Sequence, residues 1–147
     1  MNELEIAAKV ALANSFVLYF KAHSFHWNVE SKNFAEMHGF FGDFYEEVYE
    51  AVDPLAEEIR ALGYYAPRSM NELYNYKTIV DINDATNVTE MLIDLSNSNA
   101  TILESLNKLF DLLTAAKKQG FANFIAERID AHEKHGWMLR SFLKGAE

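Results

Sequence analysis

Five histidines, at positions 23, 26, 38, 132 and 135, and 22 Asp and Glu residues are the side chains able to hold a metal or move a proton, and there is no cysteine. The missing thiols exclude disulfides, thiolate zinc sites, iron–sulfur clusters and thiol catalysis, so any metal must be bound by imidazole, carboxylate or backbone oxygen. Two helical metal motifs are also absent. No Glu is followed by His three residues later, so the Glu-x-x-His pairs of di-iron bundle cores are not encoded. In His132-Glu133-Lys134-His135 the histidines are three apart rather than four, which rules out a His-Glu-x-x-His zinc motif. The set that stands out is His26, His38, Asp53 and Glu57.

Two prolines and six glycines in 147 residues leave room for long helices, which must position that set. Leu4, Ala8, Ala11, Ser15, Leu18, Ala22 and Phe25 alternate steps of four and three and predict helix A over about residues 3–29. Asn33 and Glu36 read as a capping box opening helix B, whose stripe Phe34, Met37, Phe41, Phe44, Val48, Val52, Leu55, Ile59 and Leu62 runs to a terminator at Gly63. Pro54 either kinks this helix or starts a new one with Asp53 as N-cap; the unbroken stripe favours the kink. Residues 64–87 form a long connection with a short helix opened by Ser69-Met-Asn-Glu72. Helix C follows Asn87 with Val88, Leu92, Leu95, Asn99, Ile102, Leu106, Leu109 and Leu113 and stops near Gly120. Helix D carries Phe121, Ile125, Ile129, His132, Leu139 and Leu143, with His132 as a core histidine, before the tail Gly145-Ala-Glu147. The expectation is an all-α four-helix bundle over 1–147 as a single domain, with a short extra helix in the connection between the second and third long helices.

Helix geometry constrains the candidate site. His26 and His38 lie six residues to either side of the A–B turn, so an antiparallel hairpin sets them at one height. His38, Asp53 and Glu57 share an arc of about 100° on helix B, yet His38 and Asp53 are about 22 Å apart along its axis. A single chain therefore cannot bring all four to one ion. A twofold dimer with helix B packed antiparallel on its copy can, by facing His26 and His38 of one subunit with Asp53 and Glu57 of the other. Imidazole and carboxylate ligands suit iron, zinc or manganese. The alternative leaves Asp53 and Glu57 on a solvated acidic face with Glu46, Glu47, Glu50 and Glu58.

A formal charge of −9 favours cations over phosphate backbones, and average globular composition excludes disorder. The most apolar stretch, Leu4 to Phe20, contains Glu5 and Lys9, and its acidic start does not suit a signal peptide. A soluble cytoplasmic protein is expected.

The segments Lys21-Ala-His23-Ser-Phe-His26-Trp27-Asn-Val29, Asn33-Phe34, Met37-His38, Asp53-Pro-Leu-Ala56-Glu57-Glu58-Ile59 and Leu62-Gly63 resemble the Dps-type mini-ferritins, the DNA-binding proteins from starved cells. Lys134-His135-Gly-Trp137-Met-Leu-Arg-Ser-Phe142-Leu143 is similar to that family's last helix, so the resemblance covers nearly the whole chain. It implies a hollow dodecamer of ferritin-like bundles that binds Fe²⁺ at intersubunit sites, oxidises it preferentially with hydrogen peroxide and stores ferric mineral, protecting against oxidative stress. By resemblance, His26, Asp53 and Glu57 hold the first iron, and Glu57 reaches a second near His38. Trp27 is then a candidate sink for stray oxidising equivalents, or simply core packing.

Two departures from the family pattern qualify the expectation. Where the family usually has Asp four residues after the second His, this chain has Gly42; Asp43 is turned about 100° away, and Glu46 lies a turn further along a similar face. A weak second iron is expected, and with it the alternative of a cage that sequesters metal without efficient turnover. The start also lacks the Lys-rich extension of strong DNA binders, so DNA binding is expected to be weak or absent. Near the family's iron-entry pores the acids here are Glu127 and Asp130, flanked by Lys117, Lys118, Gln119 and Asn123.

Overall fold

The computed structural model describes residues 1–145. Five helices follow one another: α1 (Glu3–Asn28), α2 (Phe34–Ala61), α3 (Met70–Tyr76), α4 (Val88–Ala115) and α5 (Gln119–Gly145). The α1–α2 and α4–α5 hairpins pack through α1 against α4, α3 sits on α1, and α5 also touches α2. This is the all-α four-helix bundle with an extra short helix in the long connection.

Helix ends follow local chemistry. The Asn2 side chain caps α1, Ser69 caps α3 through the Glu72 N–H, and Asn87 and Glu90 form a reciprocal capping box on α4. The box expected at Asn33 and Glu36 is not formed. Asn33 stands at the N-cap position with φ −105° and ψ 43°, its side chain makes no cap bond, and its N–H donates to Ser31 Oγ instead. The helix runs unbroken through Pro54, and Gly63 ends it at φ 97°, a left-handed conformation that glycine adopts without Cβ strain. Helix α4 stops at Ala115, short of the expected Gly120, because the chain turns at Lys117 (φ 59°) and α5 begins at Gln119. Gly145 closes α5 rather than starting a tail; the expected tail residues Ala146 and Glu147 lie outside the described residues.

The core is the predicted stripes, with Phe41, Phe44, Leu18, Leu95, Ile102, Leu106 and Ile125 fully buried. Each buried Leu or Ile contributes on the order of 2 kcal/mol by leaving water. Phe34 departs from its stripe: it is 47% exposed and stacks on His38. Among the described residues no helix is long and apolar enough to cross a membrane.

Buried polar groups tie the long connection to the bundle. Asn14 Oδ1 accepts from the Thr78 and Ile79 N–H groups at 2.8 and 3.2 Å, and its Nδ2 donates to Thr78 Oγ1 at 2.8 Å. The Lys21 ammonium donates to both Asp94 oxygens, at 2.8 and 3.0 Å, and to the Val80 carbonyl at 3.0 Å. All these backbone groups are thereby satisfied where water is scarce.

A second network lies between α2, α4 and α5. The Arg128 guanidinium binds Glu47 with two nitrogens, His135 Nε2 donates to Glu47 Oε1 at 2.7 Å, and Arg128 Nη2 donates to His132 Nε2 at 3.2 Å. His132 Nδ1 then donates to Asn99 Oδ1 at 3.0 Å, while Asn99 Nδ2 donates to the His132 carbonyl at 2.8 Å. His132 is the core histidine expected, but Glu47 leaves the solvated acidic face to which its neighbours assigned it. Burial, and then the charges of Arg128 and His135, drive His132 well below its ordinary 6.5. Burial pushes the Glu47 carboxyl up, but hydrogen bonds from His135 and Arg128 outweigh it and hold the group far below the usual carboxylate range.

Both shifts make the fold acid-sensitive. As pH falls below 6.5, an unfolded His132 binds a proton that the native ring refuses, and stability drops by up to about 1.4 kcal/mol per pH unit from this group. Below 4.5 the unfolded Glu47 protonates while the native carboxylate stays charged, which removes a further contribution as pH falls. Denaturant midpoints at fixed protein concentration should therefore decrease from pH 7 downward, and His132→Gln should flatten the first stage. An unchanged slope in that variant would contradict the assignment.

Candidate metal centre

His26 lies in the last turn of α1 and His38 in the first turns of α2, and the short loop between the helices sets the two rings side by side. His26 Nδ1–H donates to the His38 carbonyl and His38 Nδ1–H donates to the His26 carbonyl, both at 2.7 Å. A carbonyl oxygen can only accept, so each neutral ring carries its proton at Nδ1 and its lone pair at Nε2. The rings stack with centroids 3.7 Å apart and 18° between planes. Neither Nε2 has a partner among the described residues. Backbone hydrogen bonds that orient an imidazole and leave the opposite nitrogen free are the usual support of a metal-binding histidine.

Gly42 lies against the clasp. A Cβ placed there would lie 3.1 Å from His26 Nδ1 and 3.2 Å from its Cε1. A side chain at position 42 would crowd the His26 ring, which would have to give by a few tenths of an ångström. No carboxylate is available at that position.

Asp53 and Glu57 are on α2, exposed, one turn apart, and no ion pair among the described residues holds either. No group of three or more His, Asp or Glu within the described chain is arranged to hold a metal. The histidine pair and the carboxylate pair stand about 22 Å apart along α2, by helix rise. Between α2 and α5 the half-buried Glu47 carboxylate is already paired with Arg128, whose guanidinium supplies the positive charge a metal would otherwise bring.

An aromatic cluster that sequence reasoning missed adjoins the clasp. Tyr45 stacks on His23 at 3.8 Å and 9°, and its ring lies 5.3 Å from His26. The Tyr19 hydroxyl is 2.9 Å from His23 Nδ1, and Tyr19 packs on Tyr49 at 4.6 Å. Burial, with Tyr49 and Tyr45 adding to it, raises the Tyr19 phenol above 10.0. Burial and then His26 lower His23 below 6.5. The i, i+4 spacings Tyr19–His23 and Tyr45–Tyr49 were the available signal, because such pairs share a helix face. Trp27 lies 4.1 Å from His23 and is 57% exposed, so it is not a core side chain within the subunit.

Residues 9–147 match the ferritin-like domain model. The chain is 31% identical over 136 residues to a low temperature-induced protein of Nostoc sp., covering 91% of this chain and 76% of the relative. It is 29% identical to the DNA protection during starvation protein of Brevibacillus brevis, covering 90% and 89% of the two chains. Its fold superposes on the crystal structure of the DPS protein from Vibrio cholerae with a TM-score of 0.90 at 26% identity, covering 96% and 89%. With the helix order, the extra short helix and these similarities in agreement, the chain belongs to the ferritin-like family and, within it, to the Dps-type mini-ferritins.

Proposed function

We propose that the protein is a ferroxidase and iron store whose substrate, Fe²⁺, binds between subunits. His26 and His38 of one subunit and Asp53 and Glu57 of its twofold mate form the site, within a dodecameric cage in the cytoplasm. The observation that carries this reading is the reciprocal histidine clasp, which presents two oriented Nε2 lone pairs and no carboxylate of its own chain. The Vibrio cholerae neighbour is described as one of a superfamily of ferritin-like diiron-carboxylate proteins, which supports carboxylates as the completing ligands. Exposed apolar side chains on the same α1–α2 hairpin, Phe20, Trp27, Phe34 and Tyr49, support its burial against a second copy.

The clasped rings enter the site already oriented, so little ordering is needed when Fe²⁺ binds. Hydrogen peroxide is the preferred oxidant in this reading. Two neighbouring Fe²⁺ supply its two electrons, which avoids one-electron release of hydroxyl radical, and the ferric product is stored in the cage. Gly42 supports the second reading, a cage that sequesters metal with poor turnover, because the second iron lacks a carboxylate there; Glu46 is the nearest substitute along that face. Glu127 and Asp130, both exposed, are proposed to line the entry pore, and DNA binding is proposed to be weak or absent.

Anaerobic titration with Fe²⁺ followed by peroxide addition tests both readings. One tight and one weak equivalent per subunit, with ferric iron formed as peroxide disappears, is the expected result. Two tight equivalents would refute the role given to Gly42. Tight binding without peroxide consumption would favour the sequestering cage, and a monomeric mass by size exclusion would remove the intersubunit site.

A further inference from the structure

With a second iron weakly held, peroxide will often meet a single Fe²⁺, which supplies one electron of the two it needs. The side chains beside the clasp offer a source for the other. From His26 the ring-to-ring path runs to Tyr45 at 5.3 Å and from Tyr45 to Tyr19 at 6.0 Å. Tyr19 differs from the other oxidisable rings here in having a dedicated proton acceptor, His23 Nδ1 at 2.9 Å. A phenol O–H is a far stronger acid than a neutral imidazole N–H, so the phenol is the donor in this bond. The flat Tyr45 ring, stacked at 9° on His23, holds that acceptor in place.

A tyrosine must lose its proton as it loses an electron, because the phenoxyl radical is neutral while the radical cation is a very strong acid. A base already hydrogen-bonded to the hydroxyl takes the proton in the same event. Trp27 has no such acceptor among the described residues. Tyr19 is half-buried, which shields a radical from bulk reaction.

We propose that Tyr19 is a redox-active tyrosine, paired with His23 as proton acceptor, that gives the second electron when hydrogen peroxide meets a single Fe²⁺ at the His26–His38 pair. One electron comes from Fe²⁺, which becomes Fe³⁺, and one from Tyr19. The peroxide O–O bond breaks, both oxygens leave as water with two protons from solvent, and the phenolic proton stays on His23. No hydroxyl radical is released. This inference rests on the iron-oxidation reading above.

The test uses the full-length oligomer. Loaded anaerobically with less than one Fe²⁺ per subunit, mixed with peroxide and freeze-quenched, it should give a tyrosyl-radical EPR signal. Tyr19→Phe should lose that signal, and exposed Tyr74→Phe on α3 should keep it. In a second arm, flash-generated ruthenium(III) tris-bipyridine oxidises the metal-free protein. His23→Phe, which keeps a ring against Tyr45 but accepts no proton, should there slow the Tyr19-dependent radical about a hundredfold, the scale of a lost general base. Ferric iron formed with an unchanged radical in Tyr19→Phe would overturn the inference alone. A Tyr19-dependent radical in the flash arm, with no ferric iron formed from peroxide, would overturn the iron-oxidation reading and the electron route together. Equal radical rates in His23→Phe and wild type would overturn the proton-acceptor role.

Discussion

Oligomers made only of His26→Ala subunits, and oligomers made only of Asp53→Ala subunits, should each lose Fe²⁺ oxidation, whereas oligomers assembled from a mixture of the two should regain it. In the proposed site each single change removes a ligand, and the loss should exceed the roughly 10–100-fold that removal of an outer-shell partner costs a metal site. The rescue follows from twofold geometry. In the proposed site the histidines and carboxylates come from different subunits, so in a mixed dimer one site receives both substitutions and the other neither. Random mixing makes about half the dimers mixed, so about a quarter of all sites should be intact. Refolding an equal mixture and measuring the initial rate of ferric iron formation against wild type checks this. A rate no better than either parent would show that the four residues do not share a site across subunits.

The second large effect is on stability. Asp94→Ala should destabilise the fold by about 3–5 kcal/mol, the usual cost of removing one partner of a buried ion pair. The Lys21 and Asp94 side chains are only 4% and 12% exposed. Without Asp94 the ammonium retains a single carbonyl acceptor, Val80, in a site with little water. The cost therefore lies in the stranded charge more than in the lost attraction. Replacing both partners at once, as Lys21→Met with Asp94→Leu, should recover most of the loss. Denaturant unfolding of the two variants at one protein concentration separates these outcomes; a double variant no more stable than Asp94→Ala would show that the pair has a role beyond charge compensation. Lys21 is also part of the segment around His26 that carries the family resemblance. Its structural role is to join α1, α4 and the long connection, not to bind metal.

Much of the fold was legible because helices are written in local, periodic terms. The stripes of all four long helices, the Ser69 cap, the start of the third long helix after Asn87 and the place of the short helix followed from spacing and side-chain chemistry. Errors fell where two local signals competed. Gly120 suggested a terminator, but Lys117 in a left-handed conformation made the turn first. Asn33 and Glu36 had capping-box spacing, but Ser31 captured the Asn33 N–H. Phe34 fitted the apolar period, yet at the first turn of α2 it lies beyond the bundle and packs on His38.

By itself the sequence nominated four candidate metal ligands and determined that one chain could not bring them together. That conclusion needs only the rise of a helix and the number of residues between His38 and Asp53. Only the tertiary structure decided how the candidates are held. The His26–His38 exchange of hydrogen bonds, the close approach of the His26 ring to Gly42 and the Tyr19–His23 pair depend on the close packing of side chains from different turns and helices. The same packing withdrew Glu47 from the acidic face and joined it to Arg128, 81 residues away in sequence. Periodicity specifies which face a residue occupies; distances and proton positions follow from what the opposing faces bring to meet it.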